Sequence, residues 1–107
     1  MSDKPIECCK KQPEECKNMI DIRQEIDCID QQIIDLIAKR YQYVKSASKF
    51  KTDETSVKAP ERFAAMLLER RKWAELQNID PDVIEKLYTD LVQYFINEEL
   101  KHWKAQA

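Results

Sequence analysis

The sequence contains no glycine among its 107 residues. At average usage, a chain of this length carries about seven. Only glycine freely adopts backbone angles with φ > 0 and allows a ligand to approach the backbone closely. Its absence therefore excludes glycine-rich phosphate loops, dinucleotide-binding loops and the nucleophile elbow of hydrolases. Tight two-residue hairpins, which depend on glycine, are also not expected. The chain is expected to form helices joined by few turns.

The charges are numerous but balanced, with 18 Lys and Arg against 20 Asp and Glu and a net charge of −2. Nucleic-acid-binding domains normally show a basic surplus, so no nucleic-acid partner is expected. No apolar run reaches the ~18–20 residues of a membrane span. The first five residues carry no apolar signal segment, so we expect no membrane association and a cytoplasmic location. A chain of this length usually forms one domain. Its core would be modest, and oligomerisation would extend it.

Four cysteines raise the question of a metal site or a disulfide. Cys8, Cys9, Cys16 and Cys28 form no C-x-x-C pair, and His102 is the single histidine. Structural zinc sites require spaced Cys and His pairs. We therefore expect neither a metal nor a cofactor.

Residues 1–18 are polar and predict a loosely ordered tail, followed by one helical domain over residues 19–107. From Asp21, apolar side chains recur at steps of three and four, which predicts an amphipathic helix. This helix would run about 29 residues, or roughly 43 Å, until a polar run at residues 52–56 that is typical of a loop. A compact domain of this size has a radius of gyration near 13 Å. The long helix must therefore protrude or pack along a second copy of itself.

Two further helices are predicted by proline at the first helical position. One opens at Pro60 and ends near Asn78, and the other opens at Pro81 and continues through Trp103. No segment alternates as a strand would. The fold class is therefore all-α, with a three-helix protomer.

Four charged residues interrupt apolar helical faces. Arg23, Arg40 and Lys51 fall on or beside the stripe of the first helix, and Glu99 follows Phe95 by four residues on the third. Buried charges are costly unless they are paired or matched by a ligand. Structural ion pairs or side chains reaching out to solvent would explain them individually. Together they favour an anion site built from side chains, for which the arginine fork suits a carboxylate.

The spacing of the two arginines adds a constraint. Arg23 and Arg40 are 17 residues apart, or roughly 25 Å along one helix. They cannot hold one small ligand from a single chain. They can if two long helices run antiparallel and each site takes Arg23 from the partner, which predicts an intertwined, helix-swapped homodimer.

Five segments follow one another in a recognisable order: DIRQEIDCID at 21–30, YVKSASKFK at 43–51, APERFAAML at 59–67, ERRKWAE at 69–75 and ELKHW at 99–103. With this ordered run of motifs, the sequence resembles the all-helical chorismate mutase family over about residues 19–104. Within that family it resembles the isochorismate–pyruvate lyases of salicylate and siderophore biosynthesis.

The resemblance implies an intertwined dimer with two equivalent sites for a small dicarboxylate, isochorismate or chorismate. The substrate-binding arginines of the family fall on Arg40 and on Arg23 of the other chain, and the lysine of its mobile loop falls on Lys51. The implied activity is the cofactor-free, pericyclic conversion of isochorismate into salicylate and pyruvate, with secondary chorismate mutase activity. Lys51 and Glu99 are the implied catalytic residues, and both also bind substrate.

Glu99 departs from the pattern, because the lyases and many other members of the family have glutamine there. Some eukaryotic mutases of the family have glutamate, so a chorismate mutase proper, converting chorismate into prephenate, stays open as an alternative. A non-catalytic helical dimerisation module, in which Arg40 and Glu99 are structural, is a further alternative.

Overall fold

The computed structural model describes residues 11–106. The first ten residues of the predicted tail, which include Cys8 and Cys9, lie outside the described residues, as does residue 107. Every regular element from residue 11 to residue 106 is helical, which confirms the all-α prediction. The α-helices are α1 (Met19–Ala47), α2 (Glu54–Lys58), α3 (Pro60–Leu76) and α4 (Pro81–Gln106), and short 3₁₀ turns form at Pro13–Glu15 and Ser48–Phe50.

The long first helix has its expected length of 29 residues, but it begins two residues before Asp21. Asn18 explains the start, because its side-chain oxygen accepts a hydrogen bond from the backbone N–H of Asp21 at 2.9 Å. An acceptor in this position satisfies one of the free N–H groups of a first turn. The Asp21 carboxylate in turn accepts from the backbone N–H of Lys17 at 3.0 Å and lies 3.2 Å from the Lys11 ammonium. The described end of the predicted tail is thus hydrogen-bonded to α1.

The polar run after α1 contains a short helix, α2, where the sequence predicts a loop. Asp53 caps it by accepting from the backbone N–H of Ser56 at 2.7 Å and from the Ser56 hydroxyl at 2.8 Å. These hydrogen bonds hold the pKa of Asp53 below its ordinary value. Val57 is the buried side chain of α2. One cap and one buried side chain therefore order a segment whose composition is typical of a loop.

The chain divides into two compact units, with the boundary between Gln42 and Tyr43. In the first unit α1 carries its apolar stripe without burying any side chain of the helix. Ile26, Ile29 and Ile33 are each exposed over two fifths of their surface or more, and Leu36 is 62% exposed. An exposed apolar stripe of this length is typical of a surface that packs against another element.

In the second unit α3 packs against α4, and α4 also contacts α2 and the turn Ser48–Phe50. The buried apolar side chains here are Val57, Met66, Ala74 and Phe95. An open groove of about 490 Å³ also lies between α3 and α4, with Phe63, Leu67, Ile96 and Leu100 among its apolar lining.

The connections in this unit manage without glycine. Asn78 adopts φ 58° after α3, and the N–H groups of Asn78 and Ile79 bond back to the carbonyls of Glu75 at 3.1 Å and Ala74 at 2.9 Å. This is a Schellman motif, in which asparagine is the usual substitute for glycine. Ala59, between α2 and α3, adopts φ 40°, a left-handed conformation in which its Cβ is unfavourable.

Candidate active site

Glu99 is a buried carboxyl group on α4. It is only 4% exposed, and the deeply buried Phe95 lies one turn before it on the same face. Burial raises the pKa of Glu99, and the positive charge of Lys51 opposes that rise in part. Desolvation is the larger effect, because a buried carboxylate loses its hydration and its charged form is disfavoured. The site therefore favours the protonated carboxyl more than water does.

Lys51 lies in extended backbone just after the turn Ser48–Phe50. Its N–H donates to the Ser48 carbonyl at 3.2 Å, and its ammonium donates to the Ser56 carbonyl at 2.8 Å. The Lys51 carbonyl accepts a hydrogen bond from the Trp103 indole at 3.3 Å. Lys51 is half-buried, and its charge acts on Glu99. The second unit thus brings together the two residues that the sequence analysis singled out as catalytic.

Arg23 and Arg40 lie on α1, in the first unit. Arg23 is exposed and Arg40 is half-buried. With 17 residues between them on a continuous helix, they are roughly 25 Å apart along its axis. Their role at a shared site stays a prediction.

An inward-facing cation on α3 escaped the sequence analysis. Arg70 follows the buried Met66 by four residues and precedes the buried Ala74 by four. Its guanidinium lies 4.5 Å from the centre of the Trp73 ring and 5.6 Å from that of Tyr88. Its Nε is buried and has no hydrogen-bond partner among residues 11–106. Its four-residue spacing from Met66 could have identified it as inward-facing. Stacking on two rings and an ion pair with Glu69 at 3.4 Å accommodate its charge.

Neither a metal cluster nor a membrane helix is evident over the described range. Residues 11–106 contain no group of three or more His, Cys, Asp and Glu side chains that could hold a metal ion. None of their helices combines the length and the apolar composition required to cross a membrane.

The family match covers most of the helical part of the chain, from α1 into α4. Residues 22–100 match the chorismate mutase type II family. The chain belongs to that family. The matched span includes all four residues that the sequence analysis proposed for substrate binding, Arg23, Arg40, Lys51 and Glu99.

Within the family, the chain is similar to relatives of two kinds. It is 44% identical over 94 residues to the isochorismate pyruvate lyase of Pseudomonas aeruginosa, an alignment that covers 88% of this chain and 93% of the relative. It is 40% identical over 79 residues to the T-protein of Haemophilus influenzae, covering 73% of this chain but 20% of that protein. The T-protein of Enterobacter agglomerans is 40% identical over 65 residues, covering 60% of this chain and 17% of the relative.

Proposed function

We propose that this protein is an isochorismate–pyruvate lyase, which converts isochorismate into salicylate and pyruvate. The observation that carries the proposal is the 44% identity to a relative of that name, over nearly the whole length of both chains. The matches to the T-proteins extend over a fifth of those proteins or less.

The proposed reaction makes small chemical demands on the protein. A hydrogen moves from the ring to the methylene carbon of the enolpyruvyl side chain while the ether C–O bond breaks, so that the ring becomes aromatic and pyruvate leaves. The bond changes form one pericyclic step, without a nucleophile. Catalysis then consists of holding the dianion in its reactive conformer and of stabilising the negative charge that develops on the ether oxygen.

The four candidate residues divide these two tasks. Arg40 and Arg23 of the other chain each bind one carboxylate of the substrate, since a guanidinium matches a carboxylate bidentately. Lys51 stabilises the ether oxygen, and protonated Glu99 donates a hydrogen bond to the same atom. The pKa of Glu99, raised by burial, supports this role.

The proposed site requires a homodimer in which each chain contributes Arg23 to its partner's site. The exposed isoleucines of α1 and the open apolar groove between α3 and α4 support this assembly. Contiguous apolar surfaces of this kind are typical of interfaces rather than of free monomers. In the proposed dimer the α1 helices run antiparallel, and the apolar stripe of each is covered by the second copy.

A chorismate mutase, converting chorismate into prephenate, is the second candidate function. The presence of glutamate at position 99 favours it, since some eukaryotic mutases of the family carry glutamate there. It would use the same four residues, because that rearrangement also breaks the ether bond of a dianion and needs the same stabilisation.

One experiment separates the two functions. The purified protein is offered isochorismate and chorismate in parallel, and kcat/KM is measured for the release of salicylate and of prephenate. We expect the value for salicylate to be the larger. A larger value for prephenate would identify the protein as a mutase, and activity on neither substrate would favour a non-catalytic dimerisation module.

A further inference from the structure

The C-terminal end of α4 makes a contact with the Lys51 backbone that the proposed chemistry does not account for. Trp103 follows Glu99 by four residues, so the two side chains share one face of the helix. The Trp103 indole N–H donates to the Lys51 carbonyl at 3.3 Å, across 52 residues of sequence. One turn of α4 therefore holds both the buried carboxyl group and the main chain of the lysine.

Although α2 and the turn Ser48–Phe50 pack on α4, the other hydrogen bonds of Lys51 within residues 11–106 are local. Lys51 lies in extended backbone, outside any helix. Its N–H bonds to Ser48, three residues away, and its ammonium bonds to Ser56, five residues away. The ion pair between Lys104 and Glu54 is 3.8 Å long, with both side chains more than half exposed, and pairs of this kind contribute little.

A fixed main chain matters for a lysine more than for most residues. The ammonium stands at the end of a flexible four-carbon stem, and only a small range of its positions lies beside a given oxygen. Within the second unit the ammonium is directed to the Ser56 carbonyl, while its charge reaches Glu99. Anchoring the Lys51 carbonyl to α4 limits the stem to positions near Glu99, which is on the same helix as the anchor.

We propose that Trp103 is a positioning residue of the active site, whose indole hydrogen bond to the Lys51 carbonyl sets the position of the Lys51 ammonium relative to Glu99. This role rests on the proposed function, since it concerns the lysine that stabilises the ether oxygen. Trp103 itself touches no reacting atom. Its effect reaches the reaction only through Lys51.

The variant Trp103→Phe tests the proposal, with Trp73→Phe as its matched control. Both changes remove an indole from a helix, but Trp73 lies on α3 with its ring beside Arg70. We expect Trp103→Phe to lower kcat by roughly fivefold to tenfold, the effect of one lost hydrogen bond, with KM within about twofold. An unchanged kcat, or an equal loss in Trp73→Phe, would overturn the proposal.

A double substitution distinguishes positioning from a general structural role. In a Lys51→Ala background, Trp103→Phe should cause no further loss of kcat, because the side chain that Trp103 positions is already absent. A loss of the same size in both backgrounds would show that Trp103 acts independently of Lys51 and would overturn the proposal. If Trp103→Phe fails to fold, 3-benzothienylalanine can be placed at position 103. It keeps the bicyclic ring and has sulfur in place of the N–H. The same two outcomes for kcat then support or overturn the proposal.

The hydrogen bond itself can be observed without substrate. In ¹H–¹⁵N spectra, the indole proton of Trp103 should exchange with water more slowly than that of Trp73, and the Trp73→Phe variant assigns the two signals. Equal exchange rates would contradict the inference whatever the activity of the protein. A protein inactive on both substrates would overturn the proposed function and this role together, whereas an active protein insensitive to Trp103→Phe would overturn this role alone.

Discussion

Glu99 is a carboxyl group at a position where the proposed reaction needs a hydrogen-bond donor. Only its protonated form can donate to the ether oxygen of the substrate, and burial raises its pKa toward that form. Lys51 works against burial, because a neighbouring cation favours the ionised carboxylate. In the proposed mechanism, the balance between these two effects sets the pH range in which the site is active.

The pH dependence of kcat follows from this balance. Because the pKa of Glu99 is raised, protonated Glu99 persists into mildly acidic solution and disappears as the pH rises through that pKa. We predict that kcat increases as the pH falls below neutrality, and that Glu99→Gln, whose amide donates at every pH, flattens the profile. The neighbouring Glu98→Gln, whose carboxylate pairs with Lys101 at 3.2 Å, should keep the wild-type slope. A flat wild-type profile between about pH 5 and pH 8 would contradict this role for Glu99.

Lys51→Ala tests the stabilisation of charge at the ether oxygen. If the ammonium acts mainly in the transition state, kcat should fall by about 10²-fold or more, as for a lost oxyanion donor. Lys49→Ala is the matched control, because Lys49 is an exposed neighbour that lies over the Phe50 ring. An unchanged kcat with a raised KM would mean that Lys51 binds the substrate and the transition state equally.

The sequence predicts features that depend on neighbouring residues better than it predicts contacts between distant ones. The inward position of Glu99 was predictable, because Tyr88, Val92 and Phe95 precede it at helical steps on one face. The contact between Trp103 and Lys51 was not, because it joins residues 52 positions apart and depends on how α4 packs. Periodicity identifies the face that a side chain lies on, but not what it meets there.

At the scale of elements, the long helix and the α3–α4 pair were predictable from apolar spacing and from the two prolines at helix starts. α2 was not, because a helix of five residues has little propensity of its own. It depends on the Asp53 cap and on the burial of Val57. Short elements of this kind form through tertiary contacts that a local pattern does not contain.

The junction between α2 and α3 carries a stability prediction. Ala59 has φ 40°, where the Cβ of an L-residue costs about 1–2 kcal/mol, while glycine adds about 0.4–1 kcal/mol of unfolded-state entropy. Ala59→Gly should therefore raise the free energy of unfolding by roughly 0.5–1 kcal/mol in urea titrations. The control Ala65→Gly, in an exposed turn inside α3, should lower it by about as much. A loss of stability in both variants would show that Ala59 is not strained.

At the scale of the whole molecule, the absence of glycine and the length of α1 both favour a site shared between two chains. Without a backbone cradle, an anion must be met by side chains. The arginines available on α1 are too far apart to meet the same small anion from one chain. The exposed apolar stripe of α1 is a surface along which a second copy can pack.

The assembly was predictable from the sequence only in outline. The length of α1 required a partner of some kind, because a helix of 29 residues exceeds a compact domain of this size. The register of two such helices depends on how their side chains interlock across the interface. A single chain does not specify that register, so the transfer of Arg23 to the partner's site is a prediction that needs its own test.

Mixing two inactive variants tests the shared site most directly. Arg23→Ala and Arg40→Ala should each abolish lyase activity in homodimers, because every site then lacks one carboxylate ligand. When the two variants are co-expressed in equal amounts with different tags, half of the dimers are mixed. Each mixed dimer regains one intact site, formed by Arg40 of one chain and Arg23 of the other. We predict recovery of roughly a quarter of the wild-type activity, all of it in the doubly tagged fraction. No recovery in that fraction would show that each chain builds its site alone and would contradict the account.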